Sequence, residues 1–142
     1  MRELTLTASL ENLERVQAFV AEQMEEAGCP AKARMQIEIA VEEIYVNIAH
    51  YAYRPGVGEA TVRCEAGGNP PHVVLQFLDE GVPFNPLEKE DADITLSAEE
   101  REIGGLGILM VKKSMDLVEY QYEGGKNILT VKKGYDAAMT GR

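Results

Sequence analysis

The sequence predicts an α+β fold: a two-layer sandwich in which one mixed, mainly antiparallel sheet carries its helices on one face. Three observations carry this. Two long helical patterns lie early in the chain. Alternating, strand-like runs lie mostly late. The late runs come in pairs joined by short Gly-rich turns, which implies antiparallel neighbours. With 142 residues, 45% hydrophobic and 27% charged, the chain suits one globular domain over 1–142.

Glu3 to Ala8 alternates, with Leu4 and Leu6 on one side and Thr5 and Thr7 on the other, and reads as a strand. Ser9 and Asn12 are candidate caps for the helix that follows. Its apolar stripe is Leu13, Val16, Phe19, Val20 and Met24, and Gly28 ends it. Pro30 then suits the first turn of a second helix, where its missing N–H goes unused. That helix runs from Ala31 to about Tyr53, because Pro55 and Gly56 cannot continue it. Ile37, Val41, Ile44 and Ile48 recur at helical spacing as its buried stripe. At about 100° per residue, Gln36, Ala40, Glu43, Asn47, His50 and Arg54 fall on a neighbouring, mostly polar stripe. Met35, Ile39 and Val46 make a second apolar strip, suited to the first helix or to a second copy of the chain.

Gly58 to Ala66 alternates with Ala60, Val62 and Cys64 inward. Gly67 to Pro71 is a turn, and His72 to Leu78 is an apolar strand close enough to form a hairpin with the preceding one. Leu87 to Ile103 holds seven acidic residues and two basic ones, Lys89 and Arg101, with little periodicity. It reads as a loop, with a short helix near Ser97 to Glu102 whose capping box is Ser97 with Glu100. Gly104 to Gly107 open a short helix with Leu109, Met110 and Val111 packed inside. Asp116 to Tyr122 and Asn127 to Lys133 are paired strands about the Gly124-Gly125 turn, and 134–142 is a frayed tail.

The net charge of −10 and pI of about 4.7 argue against direct binding to nucleic acid or to an anionic membrane. Cys29 and Cys64 have no metal spacing and read as reduced thiols of a cytoplasmic protein. The first residues lack the apolar core of a signal peptide, and no window approaches a membrane span. His50 and His72 lack partners at zinc spacing, and no nucleophilic triad stands out.

Four stretches carry chemistry. Glu43 and Asn47 sit one turn apart on the polar stripe, whereas Glu42 and Glu38 point away. A carboxylate and a carboxamide so placed suit a metal and a water together, although a solvated flank has the same composition. Asp79 ends a buried strand and precedes Glu80-Gly81. A carboxylate there suits an exocyclic amine at the bottom of a pocket, and Gly81 admits close approach of backbone and flat ligand. Asp and Gly are also ordinary strand-end turn residues. Gly105-Leu106-Gly107 at a helix start offers bare N–H groups to a phosphate, or is simply a hinge. No GxxxxGK[ST] is present, which excludes a P-loop.

Taken in order, Glu-x-x-x-Asn on a helix, Asp-x-Gly after a strand, a long loop and Gly-x-Gly at a helix start resemble the GHKL (Bergerat) ATP-binding fold. The resemblance covers about Leu4 to Lys133. The stretches EEIYVNIAHYAY, FLDEGVPFNP and GGLGILMVKKSMD look most like the bacterial anti-sigma factor serine/threonine-protein kinases. The length points to such a stand-alone member, without the added helices of a histidine kinase.

That resemblance implies ATP and Mg²⁺ as cofactors. It implies Glu43 as the catalytic carboxylate and Asn47 as the Mg²⁺ ligand. It implies Asp79 and Gly81 at the adenine, Gly105, Leu106 and Gly107 at the phosphates, and residues 87–103 as the lid. The partners implied are a sigma factor and an anti-anti-sigma (STAS-type) protein, with the chain as a homodimer. The implied activity is phosphorylation of the anti-anti-sigma protein. The alternative is a non-catalytic nucleotide-binding module that acts by protein binding alone. One place departs from the family pattern: a Gly-Thr pair usually opens the last strand, where the Thr helps fix the Asp. Here the residues are Gly125, Lys126, Asn127 and Ile128. Asn127 is the candidate substitute, and Thr130 comes later and is expected to face the other way. The acidic lid is also unusual, and would repel phosphates unless it folds outward or meets a basic partner.

Overall fold

A computed structural model describes residues 1–53, 56–88 and 105–135. The short helix expected near 97–102, Arg54, most of the lid and the tail beyond 135 lie outside the described residues.

The chain starts with strand β1 (Arg2–Thr7), followed by a 3₁₀ turn at Leu10–Asn12 and helices α1 (Leu13–Glu26) and α2 (Ala31–Tyr51). The β2–β3 hairpin (Glu59–Gly67, His72–Asp79) comes next, then helix α3 (Gly105–Ser114) and the β4–β5 hairpin (Leu117–Glu123, Lys126–Gly134). The strands form one five-stranded sheet in the order β1-β2-β3-β5-β4. All four pairings are antiparallel, so the expected two-layer α+β architecture is present with no parallel pair among the described strands.

One face of the sheet is the core. Ala60, Val62 and Cys64 of β2, Val73, Leu75 and Phe77 of β3, and Leu129 and Val131 of β5 are buried at alternate positions. Val16, Val20 and Met24 of α1 and Ile37, Val41 and Ile44 of α2 pack onto them. Gly28 adopts φ 70° after α1, and the Cys29 N–H returns to the Met24 carbonyl at 3.0 Å. That left-handed turn suits a residue without a side chain.

The helix starts differ from expectation. Neither Ser9 nor Asn12 caps α1 with its side chain. The 3₁₀ turn moves Ser9 a turn too early, and Asn12 Nδ2 donates back to the Thr7 carbonyl at 2.8 Å. The entry is held instead by Tyr45 of α2, fully buried, whose hydroxyl accepts from Ser9 N–H (3.1 Å) and donates to the Ser9 carbonyl (2.7 Å). Pro30 lies just outside α2 with extended backbone, and its carbonyl accepts from Arg34 N–H. In α3, Val111 is buried as expected, but Met110 is exposed because it falls on the solvent side of that short helix. Met35 and Ile39 are likewise exposed, whereas Val46 of the same strip is half-buried. Among the described residues, no helix is long and apolar enough to cross a membrane.

Candidate functional site

The C-terminal half of α2, the end of β3 and the start of β5 meet at one end of the sheet. Asp79 is the last residue of β3 and pairs with Ala60 on one side and Asn127 on the other. Its side chain is on the core face of the sheet and only 7% exposed. Oδ1 accepts from Gly81 N–H and from Asn127 Nδ2, both at 2.9 Å. Burial pushes the Asp79 carboxyl up, and these two hydrogen bonds oppose it. No donor among the described residues reaches Oδ2.

Asn127 is equally buried. Its Nδ2 also donates to the Val82 carbonyl at 3.0 Å, and its Oδ1 accepts from Phe84 N–H at 3.1 Å and from the Tyr120 hydroxyl. The residue standing near the usual Thr position therefore does contact Asp79. Thr130 faces the other side of the sheet, where its hydroxyl accepts from Gln76 Nε2.

Gly81 has a reason that the sequence does not display. A Cβ there would stand 2.1 Å from the Ala52 carbonyl oxygen. The backbone that approaches Gly81 closely is thus the end of α2, and Val82 N–H donates to that same Ala52 carbonyl. Tyr53 adds a second tie: its hydroxyl accepts from Glu80 N–H at 2.7 Å and donates to the Glu59 carbonyl. Gly58 leaves room for its ring, since a Cβ there would lie 2.3 Å from Cε1. Sequence reasoning missed Ala52, Tyr53 and Tyr120. Tyr120 had a usable signal, because it alternates inward with Val118, but its reach to Asn127 depends on the β4–β5 register.

Glu43 and Asn47 are both half-buried on α2, while Glu38 and Glu42 are exposed, so the polar stripe does flank the buried face. Burial raises the Glu43 carboxyl, and the Glu42 carboxylate adds to the effect. Carboxylate and carboxamide oxygens suit a hard cation such as Mg²⁺, which takes few protein ligands and keeps waters and phosphate oxygens. The described residues hold no group of three or more His, Cys, Asp or Glu that would cage a metal by themselves. Gly105, Leu106 and Gly107 form the first turn of α3, and α3 packs against α2. The N–H groups of a first helical turn have no partner within the helix, so this turn can seat an anion.

The Cys64 thiol is pushed up to about 12 by burial, and burial raises Cys29 too, so neither is a ready thiolate.

The fold agrees with comparisons to known proteins. Residues 6–133 match the family model described as a histidine kinase-like ATPase domain. The chain is 25% identical over 101 residues to serine/threonine-protein kinase BtrW of Bordetella bronchiseptica, covering 71% of this chain and 70% of that protein. It is 29% identical over 100 residues to serine-protein kinase RsbW of Bacillus cereus and of Bacillus mycoides. Those matches cover 68% of this chain but 61% of the length of the Bacillus proteins. Among solved structures, histidine kinase AdeS of Acinetobacter baumannii matches 94% of this chain and 68% of its own, at 15% identity and a TM-score of 0.45.

Proposed function

The chain belongs to the histidine kinase-like ATPase family, and on that premise we propose that it is an ATP-dependent protein serine/threonine kinase that also sequesters a sigma factor. Its phosphoryl acceptor is an anti-anti-sigma protein of the STAS type, and it works as a cytoplasmic homodimer. The relatives named serine- and serine/threonine-protein kinases support a protein hydroxyl as the acceptor group. The observation that carries the reading is the joining of α2 to the Asp79 loop through Ala52 and Gly81. That contact brings Asp79 and Gly81 to the end of the helix that carries Glu43 and Asn47, which supports the reading.

In this reading Asp79 accepts the adenine amino group on Oδ2, and Gly81 lies beside the base. Asn47 contributes its amide oxygen to Mg²⁺, which supplies charge neutralisation at the phosphates when bound. The first turn of α3, from Gly105 to Gly107, holds phosphate oxygens. Glu43 accepts the proton of the attacking hydroxyl, and its raised proton affinity suits a base. The remaining work is positioning.

The test is phosphoryl transfer from Mg-ATP to the candidate STAS-type partner. Glu43→Gln is expected to keep nucleotide affinity within about twofold and to lower transfer by about 10²-fold or more, the usual range for general-base loss. Wild type that binds Mg-ATP yet leaves every such partner unphosphorylated would instead mark a non-catalytic module acting by protein binding.

A further inference from the structure

Asn127 uses its entire hydrogen-bonding capacity. A carboxamide has two N–H donors and two acceptor lone pairs on its oxygen. Here the donors go to Asp79 Oδ1 and the Val82 carbonyl, and the acceptors to Phe84 N–H and the Tyr120 hydroxyl. The group cannot be turned over. A flip would face its oxygen to a carboxylate and a carbonyl, and its NH₂ to a backbone N–H. Tyr120 and Phe84 therefore decide that Asp79 meets a donor.

That orientation decides what Asp79 presents on its other side. Oδ1 is filled by Gly81 and Asn127, leaving Oδ2 as the atom for a ligand. An ionised Oδ2 accepts from an amine and repels an oxo group. A protonated one donates, and suits the oxo group. Burial pulls toward the second state, and the Asn127 donor holds the first. Asn127 also fixes the backbone at Val82 and Phe84, which a hydroxyl side chain with its single donor could not do while contacting Asp79.

We propose that Asn127, oriented by Tyr120, is the positioning residue that makes this pocket select a 6-amino purine over a 6-oxo purine. The inference rests on the nucleotide-binding reading above.

The experiment is calorimetric titration of the full chain with Mg-ATP and with Mg-ITP, whose bases differ only in the amino or oxo group at C6 and the proton that the oxo base carries on N1. Wild type is expected to prefer ATP by about 10- to 100-fold, the range for a buried polar contact made against one left mismatched. Asn127→Leu is expected to reduce that preference to below about 3-fold by losing the donor to Asp79. Asn127→Thr, which restores one donor, is expected to recover most of it. Tyr120→Phe keeps the carboxamide and removes one of the two donors that orient it, so its preference is expected to fall at least about 3-fold below wild type. An Asn127→Leu protein that weakens both nucleotides equally, with the wild-type ratio intact, would overturn the proposal and leave Asn127 a purely structural residue. If Asn127→Leu fails to fold, an unchanged ratio in Tyr120→Phe overturns it. Wild type that binds neither nucleotide overturns the nucleotide-binding reading itself, and this inference with it. Wild type that binds both alike overturns only the selectivity.

Discussion

Along the β3–β5 ladder, Leu75 faces Val131 and Phe77 faces Leu129, and at the next inward position Asp79 faces Asn127. All six side chains are buried, and the backbone pairing is the same. The first two pairs remove apolar surface from water, which is what makes the sheet and helices adhere. The third buries a carboxylate and a carboxamide, which burial penalises unless every polar atom finds a partner. One end of a single ladder thus supplies stability, and the other spends it on a site. Stability and binding should therefore separate cleanly between neighbouring positions.

The largest expected effect is at the apolar rung. Phe77→Ala should lower unfolding free energy by about 3–5 kcal/mol, read by denaturant titration. The fraction that remains folded should bind Mg-ATP with nearly wild-type affinity. A selective loss of binding without loss of stability would break the division.

The next effect sharpens it. On the proposed reading, Asp79→Asn should abolish measurable Mg-ATP binding, because an amide N–H would then face the base amine. Its stability should not fall. The raised Asp79 carboxyl contributes stability that is present at low pH and lost as pH rises through its folded value. At neutral pH the ionised group is a net cost, so Asp79→Asn should melt at or above wild type. That advantage should shrink as the pH is lowered below the raised value. A loss of more than about 1 kcal/mol at neutral pH, typical of a broken structural hydrogen bond, would count the carboxylate among the structural elements.

The smallest effect tests the sheet's two faces. Thr130→Ala removes a hydroxyl on the side opposite Asp79 and should change stability by less than about 0.5 kcal/mol. Mg-ATP affinity should not move. A drop in affinity would mean that the candidate site at Asp79 draws on the outer face.

What was legible in the sequence follows the same division. The inward positions Ala60, Val62 and Cys64, the α2 stripe Ile37, Val41 and Ile44, and the turn at Gly28 all follow from local periodicity and local backbone demands. Asp79 was legible as a strand-end carboxylate, and Asn127 as a candidate partner. The reach of Tyr120 was not, because it depends on how β4 and β5 align. Nor was the neighbour of Gly81, since Ala52 lies 29 positions away and meets it only once α2 and the sheet are packed. Ser9 and Asn12 misled because capping residues look alike wherever they stand, and a 3₁₀ turn displaced them. Met110 misled because three consecutive apolar residues cannot all face inward on one helix.

The ties between the end of α2 and the residues after β3 also have a kinetic side. Glu80, Val82 and Phe84 donate their N–H groups to Tyr53, Ala52 and Asn127 in turn. Every second amide is anchored outside the segment, two at the end of α2 and one on β5, so the segment has no free end from which to fray. Its hydrogen exchange would pass through one shared opening that also releases the last turn of α2. The floor beneath Asp79 then lasts as long as that helix end does, and slow exchange at these three amides would be a single lifetime measured three times.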